Sequence, residues 1–422
     1  MVVVAHICPF PPLHGNRSRL IALLQWLRAK GILVTYILQP LDVDEPSGLS
    51  SLRRLVDRLE VVQQSGPGES PGRSIARACL ALVRAIVPAR AQQLLRRLLR
   101  RGHTPSGPSR AYHGIGDGRP DGDIDQWCWP ATCRAVERAV RRDRPIAVLT
   151  EYALLSKCLE GLPDSVLKAI DTVEVFFRNR DSFQTHGLAA PLICSTQSET
   201  EALSRADLLI AIQKNDADVL RERFPTTRII TVPHTYPQIL RHQADLRRGT
   251  VLYVASSNPF NVHGLREFLA NAWPFIVQRV PSASLRIVGS LPATENATEL
   301  RIIHVGRVSD EELANEYQAA HVVINPQMVG TGLKIKCVEA ISAGCPLVLN
   351  RAGADGLEDG EGRAFLVAHD WHDFGEHVVS VLTDDRLRLH LETQARDFAR
   401  QRFAPSAVFS PLTDALSMHH IS

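Results

Sequence analysis

The sequence predicts an α/β protein with two doubly wound domains. Short β-branched runs alternate with helical patterns along most of the 422 residues, as expected for parallel strands that helices bury on both faces. Six strand candidates precede residue 245 and six follow it, with the polar stretch at residues 241–249 between the two sets. Because a chain of this length commonly forms two or three domains, we interpret this stretch as the link between two separate sheets.

The strand candidates are short apolar runs bounded by polar or turn residues. In the first half they lie at residues 2–5, 32–39, 147–150, 169–171, 208–211 and 229–232. In the second half they lie at residues 251–254, 285–288, 302–305, 322–324, 347–349 and 365–367. Helical patterns at residues 386–403 and 407–417 follow the last strand. We therefore expect residues 1–245 to form the first domain and residues 246–400 the second.

Composition and charge exclude several classes of protein. The chain has 48 basic and 45 acidic residues, a balance that argues against nucleic acid as the principal partner. No apolar run approaches the roughly 20 residues that cross a bilayer, and the first residues do not resemble a secretory signal, so we expect a cytoplasmic protein. The eight cysteines show no Cys-x-x-Cys and no zinc spacing, so we expect reduced thiols and no bound metal.

The strand and helix pattern weakens at residues 41–145, which we interpret as a variable insertion in the first domain. Residues 70–116 contain no acidic side chain but many arginines. Within them, residues 90–102 have the pattern of an amphipathic basic helix. Two interpretations stand: a solvated helix packed on the first sheet, or a helix that makes peripheral contact with an anionic membrane surface.

The first candidate site is the loop and helix at residues 9–31. A Pro- and Gly-rich loop follows the first strand, and one apolar helical face then ends at Gly31. Gly15 would let the backbone approach a ligand, with Asn16 beside it, and the helix N-terminus would offer free N–H groups to an anion or a sugar hydroxyl. The alternative is an ordinary turn between a strand and a helix.

The second candidate site is the segment GTGLKIKCVEAISAGCPLV at residues 330–348. Two glycines flank Thr331, which we predict to cap a helix that Leu333 and Lys334 begin and Gly344 ends. Gly330 and Gly332 would allow close approach to the open N–H groups of this helix, and its positive dipole end would favour a pyrophosphate.

Lysine usage strengthens this prediction. The chain has six lysines among its 48 basic residues, yet Lys334 and Lys336 lie within three positions of each other. Lys334, expected in the first helical turn, would add a point charge to the same phosphates, and Glu339 could accept hydrogen bonds from a ribose. The alternative is that Lys336 and Glu339 form an ordinary surface pair worth about 0.2–0.5 kcal/mol.

The same segment, with Gly-Thr-Gly-Leu-Lys-Ile-Lys followed by Glu-Ala, resembles the nucleotide-sugar-binding helix of retaining glycosyltransferases of the GT-B fold, family four. Residues 251–290, 351–368 and 199–234 and the first loop, PPLHGNRSR, are similar to further parts of that family. The resemblance implies two Rossmann-like domains that face each other across a cleft. It also implies that residues 401–422 form a helix that crosses back to the first domain.

The resemblance implies that the second domain binds a nucleoside diphosphate sugar and the first domain an acceptor hydroxyl, with no bound cofactor and no obligatory metal. Glu339 would bind the ribose, residues 330–334 would hold the diphosphate, and Gly15 would face the donor. The acceptor class stays open among polysaccharides, glycolipids and natural products. The family commonly has a glutamate eight residues before the ribose glutamate, and Thr331 stands at that position.

The segment DTVEVFFRNRDSF at residues 171–183 resembles a family segment that reads Asp-Thr-His-Asp. Val173 stands at the His position, and valine can neither donate a hydrogen bond nor titrate. Glu174 stands at the Asp position, and it is the candidate catalytic residue beside Lys334. Because of Val173 and Thr331, the alternative function is a non-catalytic GT-B protein that binds a nucleotide sugar or a partner. An epimerase or a phosphorylase on the same fold is a third hypothesis.

Overall fold

The computed structural model describes residues 1–10, 15–40, 48–63, 123–185, 194–236, 238, 241–294 and 296–421. Over these residues the chain forms two parallel β-sheets, one of seven strands and one of six. The candidate basic helix at residues 90–102 and most of the insertion lie outside the described residues. Among the described residues, no helix combines the length and the apolar character needed to cross a membrane.

The first sheet has the strand order β3-β2-β1-β4-β5-β6-β7, and every neighbouring pair is parallel. Its strands are β1 (Val2–Ala5), β2 (Thr35–Leu38), β3 (Arg58–Val61), β4 (Ala147–Glu151), β5 (Leu167–Asp171), β6 (Leu208–Ala211) and β7 (Arg228–Thr231). Six of these strands coincide with the runs predicted in the first half of the sequence. Their central residues are buried, which is why each appears in the sequence as a continuous apolar run.

The second sheet has the order β10-β9-β8-β11-β12-β13 and is also parallel. Its strands are β8 (Thr250–Ala255), β9 (Ser284–Gly289), β10 (Ile302–Gly306), β11 (Val322–Asn325), β12 (Leu347–Asn350) and β13 (Leu366–Ala368). All six predicted runs of the second half are strands. The sequence prediction did not include β3, an edge strand whose residues are all half-buried or exposed, because such a strand carries no continuous apolar run.

Helices cover both faces of each sheet. They are α1 (Gly15–Ala29), α2 (Leu49–Leu55), α3 (Pro130–Asp143), α4 (Phe176–Thr185), α5 (Thr196–Leu203), α6 (Lys214–Arg223), α7 (Pro259–Asn271), α8 (Trp273–Arg279), α9 (Asp310–Ala319), α10 (Ile335–Ser342), α11 (Trp371–Thr383), α12 (Asp385–Arg402) and α13 (Pro405–Ile421). Local sequence explains several of their ends. Gly31, with φ of +71°, follows α1, and Ser309 and Glu312 form a capping box at α9.

The last helix returns to the first sheet. The apolar side chains of α13 belong to the core on the face of the first sheet that α1 covers. The ring of Phe409 stacks on Trp26, with ring centroids 5.0 Å apart. At the junction between α12 and α13, the Thr235 hydroxyl donates a 2.6 Å hydrogen bond to the Phe403 carbonyl. These contacts pack the end of the chain against the first sheet.

The strand order of each sheet predicts one crevice at the carboxyl ends of its strands. In the first sheet successive strands are added on one side of β1 and then, from β4 onwards, on its other side, so the strand order reverses between β1 and β4. In the second sheet the strand order reverses in the same way between β8 and β11. In open parallel sheets, ligands bind outside the carboxyl ends of the strands at such switch points. The residues that follow these four strands are therefore the ones to examine for function.

Candidate functional site

The glycine loop, residues 330–334, connects β11 to α10. Gly330 has φ of +101° and Gly332 has φ of +86°, a region of backbone conformation that glycine adopts without strain. The loop wraps the ammonium of Lys334, which donates to the carbonyl of Gly330 at 3.2 Å and to that of Gly332 at 2.6 Å. Burial lowers the pKa of Lys334, while the charge of nearby Asp355 opposes this shift. A buried lysine thus supports the loop from within.

The predicted start of the following helix is wrong. α10 begins at Ile335, and Lys334 precedes it with an extended backbone and no side-chain cap. Thr331 therefore does not cap the helix, and Lys334 does not lie in its first turn. The physical reason is the positive φ of Gly332, which no right-handed helix accommodates. Lys336 occupies the first turn instead.

Lys336 is held by residues of a neighbouring strand and helix. Its ammonium donates to Asn261 Oδ1, and it lies over the ring of Tyr253, 5.1 Å from the centroid. Burial lowers its pKa to about 8. The alternative of a surface pair with Glu339 is wrong, because the Lys336 ammonium is directed to Asn261.

Glu339 lies on α10, one turn after Lys336, and its side chain is buried. The Tyr317 hydroxyl donates to Glu339 Oε2 at 3.1 Å. Burial raises the pKa of Glu339 to about 7, with Asp310 adding to the shift and Lys336 opposing it. The contact with Tyr317 fixes the direction of the carboxyl and leaves Oε1 for another hydrogen bond.

The first-domain loop meets this helix. Gly15 begins α1 and touches Ile335, so closely that a Cβ at residue 15 would lie 2.5 Å from Ile335 Cδ1. Asn16 follows it and accepts a hydrogen bond on Oδ1 from the backbone N–H of Arg17 at 3.0 Å. The structure therefore brings two predicted segments, far apart in sequence, to the same point between the domains. Residues 11–14 of the first loop lie outside the described residues.

The segment after β5 approaches the same cleft. Val173 is buried and has φ of +52°, which is unusual for a β-branched residue and marks a strained backbone. Glu174 is exposed, and its charge is one of those that favour the protonated form of Lys334. Lys334 and Glu174, the two residues predicted as catalytic, thus lie on opposite domains, close enough for the Glu174 charge to raise the pKa of Lys334.

Asp355, which the sequence prediction did not include, is the polar centre of the contact between domains. Its carboxylate accepts from Gln213 Nε2 at 3.0 Å, Asn215 Nδ2 at 2.8 Å and Arg178 Nη2 at 3.3 Å, all in the first domain. It also accepts from the backbone N–H of Gly332 at 2.8 Å. Burial would raise the pKa of Asp355, but Lys334 and these hydrogen bonds outweigh it and hold the pKa below its usual value. In the sequence, Asp355 is one of several acidic residues in a Gly-rich loop, and no local pattern distinguishes it as a contact between domains.

Replacing Asp355 by alanine is expected to weaken the contact between the domains by about 1.5–3 kcal/mol, the range for a hydrogen bond to a charged group. Small-angle scattering should show a larger radius of gyration, and hydrogen exchange should quicken around residues 213–215. Asp359→Ala is the matched control, because Asp359 lies in the same loop but pairs with Arg402 of α12. An unchanged scattering curve for Asp355→Ala would show that other contacts hold the domains together.

Comparison with known proteins agrees with this geometry. Residues 248–384 match the family model described as glycosyl transferases group 1. This match supports a group 1 glycosyltransferase. The matched range contains the glycine loop, both lysines and Glu339, and it lies within the second sheet and its helices.

Solved structures establish the fold. The sucrose-phosphate synthase of Thermosynechococcus elongatus superposes with a TM-score of 0.65 at 15% identity, over 100% of this chain and 99% of that chain. HepE of Anabaena, in complex with UDP and glucose, superposes with a TM-score of 0.58 at 13% identity, over 99% of each chain. The fold is GT-B, with two Rossmann-like domains, as the sequence resemblance implied. At these identities the likeness concerns the fold alone.

A curated relative extends the comparison in sequence. An uncharacterised 44.6 kDa protein in the cps region of Klebsiella pneumoniae is 25% identical over 219 residues, which are 50% of this chain. The match spans 56% of that relative, so it covers about half of each protein.

Proposed function

We propose that this protein transfers a sugar from a nucleoside diphosphate sugar to an acceptor hydroxyl with retention of anomeric configuration. The meeting of Gly15 with the start of α10, beside two buried or half-buried lysines, carries the proposal. This point lies at the carboxyl end of β11, at the switch point of the second sheet. The match of residues 248–384 to a glycosyltransferase family supports the same interpretation.

The start of α10 suits a diphosphate. In the described part of the chain, the backbone N–H groups of Ile335 and Lys336 have no hydrogen-bond acceptor, whereas that of Cys337 is bonded to the Lys334 carbonyl. Two open N–H groups, the positive end of the helix dipole and the ammonium groups of Lys334 and Lys336 form an anion site. With these charges the site needs no metal ion to neutralise a diphosphate.

Charge development gives these groups a catalytic role. As the glycosidic bond breaks, negative charge grows on the leaving diphosphate, and fixed N–H donors and Lys334 stabilise that charge more strongly than they stabilise the ground state. Glu174 faces them from the first domain and belongs to the same cleft. In this scheme Glu339 holds the ribose, with Tyr317 orienting its carboxyl. Closure of the domains around Gly15 would exclude water and suppress hydrolysis of the donor.

A panel of UDP, GDP, ADP, dTDP and CDP in a thermal-shift assay tests the donor site. We expect one nucleotide to stabilise the protein by about 2.7 kcal/mol at a hundred times its dissociation constant. Glu339→Gln should remove most of this shift, because the amide offers the ribose hydroxyls one uncharged accepting oxygen where the carboxylate offers two. UDP is the first choice, since HepE of Anabaena holds UDP and glucose.

Glu299→Gln is the control for that experiment, because Glu299 is exposed in the same domain. A shift with one nucleotide that persists in Glu339→Gln would remove Glu339 from the site. No shift with any of the five nucleotides would contradict a donor site at this helix.

The second candidate function is a GT-B protein that binds a nucleotide sugar without transferring it. Val173 and Thr331 favour it, because they stand where the family that the sequence resembles has a histidine and a glutamate, and valine can neither donate a hydrogen bond nor titrate. Release of the nucleoside diphosphate from the matching nucleotide sugar separates the two functions. Binding without release, in the presence of a broad acceptor panel, would favour the non-catalytic function.

A further inference from the structure

A buried pair of polar side chains lies in the first domain and is not used by the donor site. His6 directly follows β1, and Glu151 is the last residue of β4. These two strands are parallel neighbours in the first sheet, and the strand order reverses between them. His6 and Glu151 therefore straddle the switch point of the first sheet, at the edge where a parallel sheet binds its ligand.

Three buried polar atoms of these two side chains lack a hydrogen-bond partner in the part of the chain that the structure describes. Glu151 is 1% exposed, and both of its carboxyl oxygens lack a hydrogen-bond partner among the described residues. His6 Nδ1 also lacks a hydrogen-bond partner there and lies 4.0 Å from Glu151 Oε2, too far for a hydrogen bond. An unpartnered buried polar group destabilises the folded state, so this pair weakens the fold instead of supporting it.

The neighbouring charged pair shows the contrast. Arg19 of α1 donates to both oxygens of Asp171 at 2.8 and 2.9 Å, and a third hydrogen bond goes to the Pro233 carbonyl. Asp171 ends β5, the strand next to β4. The same sheet edge thus holds one fully bonded carboxylate, which is structural, and one carboxyl that no described residue partners.

The protonation states suit an uncharged ligand. Burial raises the pKa of Glu151 well above its usual value, with the charge of Asp171 adding to the shift and Arg19 and Arg17 opposing it. Burial lowers the pKa of His6 to about 4. Burial therefore favours the uncharged form of each group, a carboxylic acid and a neutral imidazole, which together donate and accept hydrogen bonds. An alcohol hydroxyl also does both, whereas a phosphate would meet no positive charge on these two groups.

Two buried aromatic rings adjoin the pair. Tyr152, which follows Glu151, is nearly parallel to Phe176 at an angle of 3°, with ring centroids 6.0 Å apart. The Tyr152 ring also lies 5.2 Å from that of His6. Tyr152 has φ of +61°, a conformation that the surrounding structure must impose on a bulky residue. Both rings are buried in the core of the first domain, and beside them His6 and Glu151 are suited to hydroxyl groups.

We propose that His6 and Glu151 form the acceptor subsite and bind a hydroxyl of an uncharged sugar or polyol. The inference rests on the proposed function, because it places the acceptor in the first domain, across the cleft from the glycine loop. The Glu151 carboxyl oxygens are closed to solvent in this structure, so the proposal requires the two domains to open before an acceptor reaches the carboxyl edge of the first sheet. The bound hydroxyl supplies the hydrogen-bond partners that the protein does not.

The test uses the methyl glycosides of glucose, galactose, mannose and N-acetylglucosamine as probes. Their binding to the full-length protein is measured by titration calorimetry with the stabilising nucleoside diphosphate already bound. We expect at least one probe to bind the wild type and to lose about tenfold or more in affinity in Glu151→Leu, because its hydroxyl loses its partner. Glu222→Ala is the control, since Glu222 is exposed on α6 of the same domain.

Two further readouts separate this role from a structural one. Glu151→Leu should raise the melting temperature, because it removes a buried unpartnered carboxyl, whereas a structural carboxyl would lower it when lost. The thermal shift with nucleotide should be unchanged, because the donor site lies on the other domain. If nucleotide still shifts the melting temperature but no probe binds, or a probe binds Glu151→Leu as well as the wild type, the acceptor subsite is wrong and the donor site stands. If no nucleotide binds, both proposals fail.

Discussion

Replacing Lys334 by methionine is expected to lower the turnover of the nucleotide sugar by about a hundredfold or more, the usual effect of losing one fixed donor at a developing charge. Methionine has a similar length and no charge, so the loop keeps most of its packing and loses the ammonium. Lys334 lies beside the open N–H groups of α10, where the proposed mechanism places the charge that grows on the leaving diphosphate. The measurement is kcat at saturating donor, from release of the nucleoside diphosphate.

The same ammonium also holds the carbonyls of Gly330 and Gly332, so its loss could disturb the loop as well as the chemistry. The thermal shift of Lys334→Met with the nucleoside diphosphate distinguishes these two effects. A disordered loop would reduce nucleotide binding as strongly as it reduces turnover. Lys214→Met is the control, since Lys214 is an exposed lysine that pairs with Asp218. A variant with Lys334→Met that turns over at the wild-type rate would exclude Lys334 from the mechanism.

Replacing Arg19 by methionine is expected to destabilise the protein by about 3–5 kcal/mol, the cost of leaving one charge of a buried ion pair without its partner. Arg19 and Asp171 have side chains that are 5% and 6% exposed, and they meet through two hydrogen bonds. Without Arg19, the carboxylate of Asp171 would remain buried at the end of β5. Denaturant unfolding of the full-length protein, monitored by far-UV circular dichroism, measures the loss of stability.

The double variant of Arg19→Met with Asp171→Leu is expected to recover much of that stability, because apolar side chains of similar volume often replace a buried ion pair at little cost. Arg221→Met serves as the control, since Arg221 and Asp218 form an exposed pair that should contribute about 0–1 kcal/mol. If Arg19→Met also lowered the free energy of unfolding by only about 0–1 kcal/mol, solvent would have to reach Asp171 in the native protein.

Much of the fold was predictable because both sheets are parallel and buried. A strand covered on both faces must be apolar along its length, so local sequence suffices to locate β1 or β6 to the residue. The edge strand β3 was not predicted, because its residues are half-buried or exposed and therefore need not be apolar. The glycine loop was predictable for another reason: positive φ angles require glycine, and this requirement is visible in the sequence.

By itself, the sequence determined the two sets of strands, the glycine loop and the presence of two lysines beside Glu339. The tertiary structure alone decided that α10 begins at Ile335, that Asp355 joins the domains, and that His6 meets Glu151. The reason is physical: Asp355 and Gln213 are 142 residues apart, and His6 and Glu151 become neighbours only because β1 pairs with β4. Local patterns record what a segment must bury, whereas strand order decides which segments share a crevice.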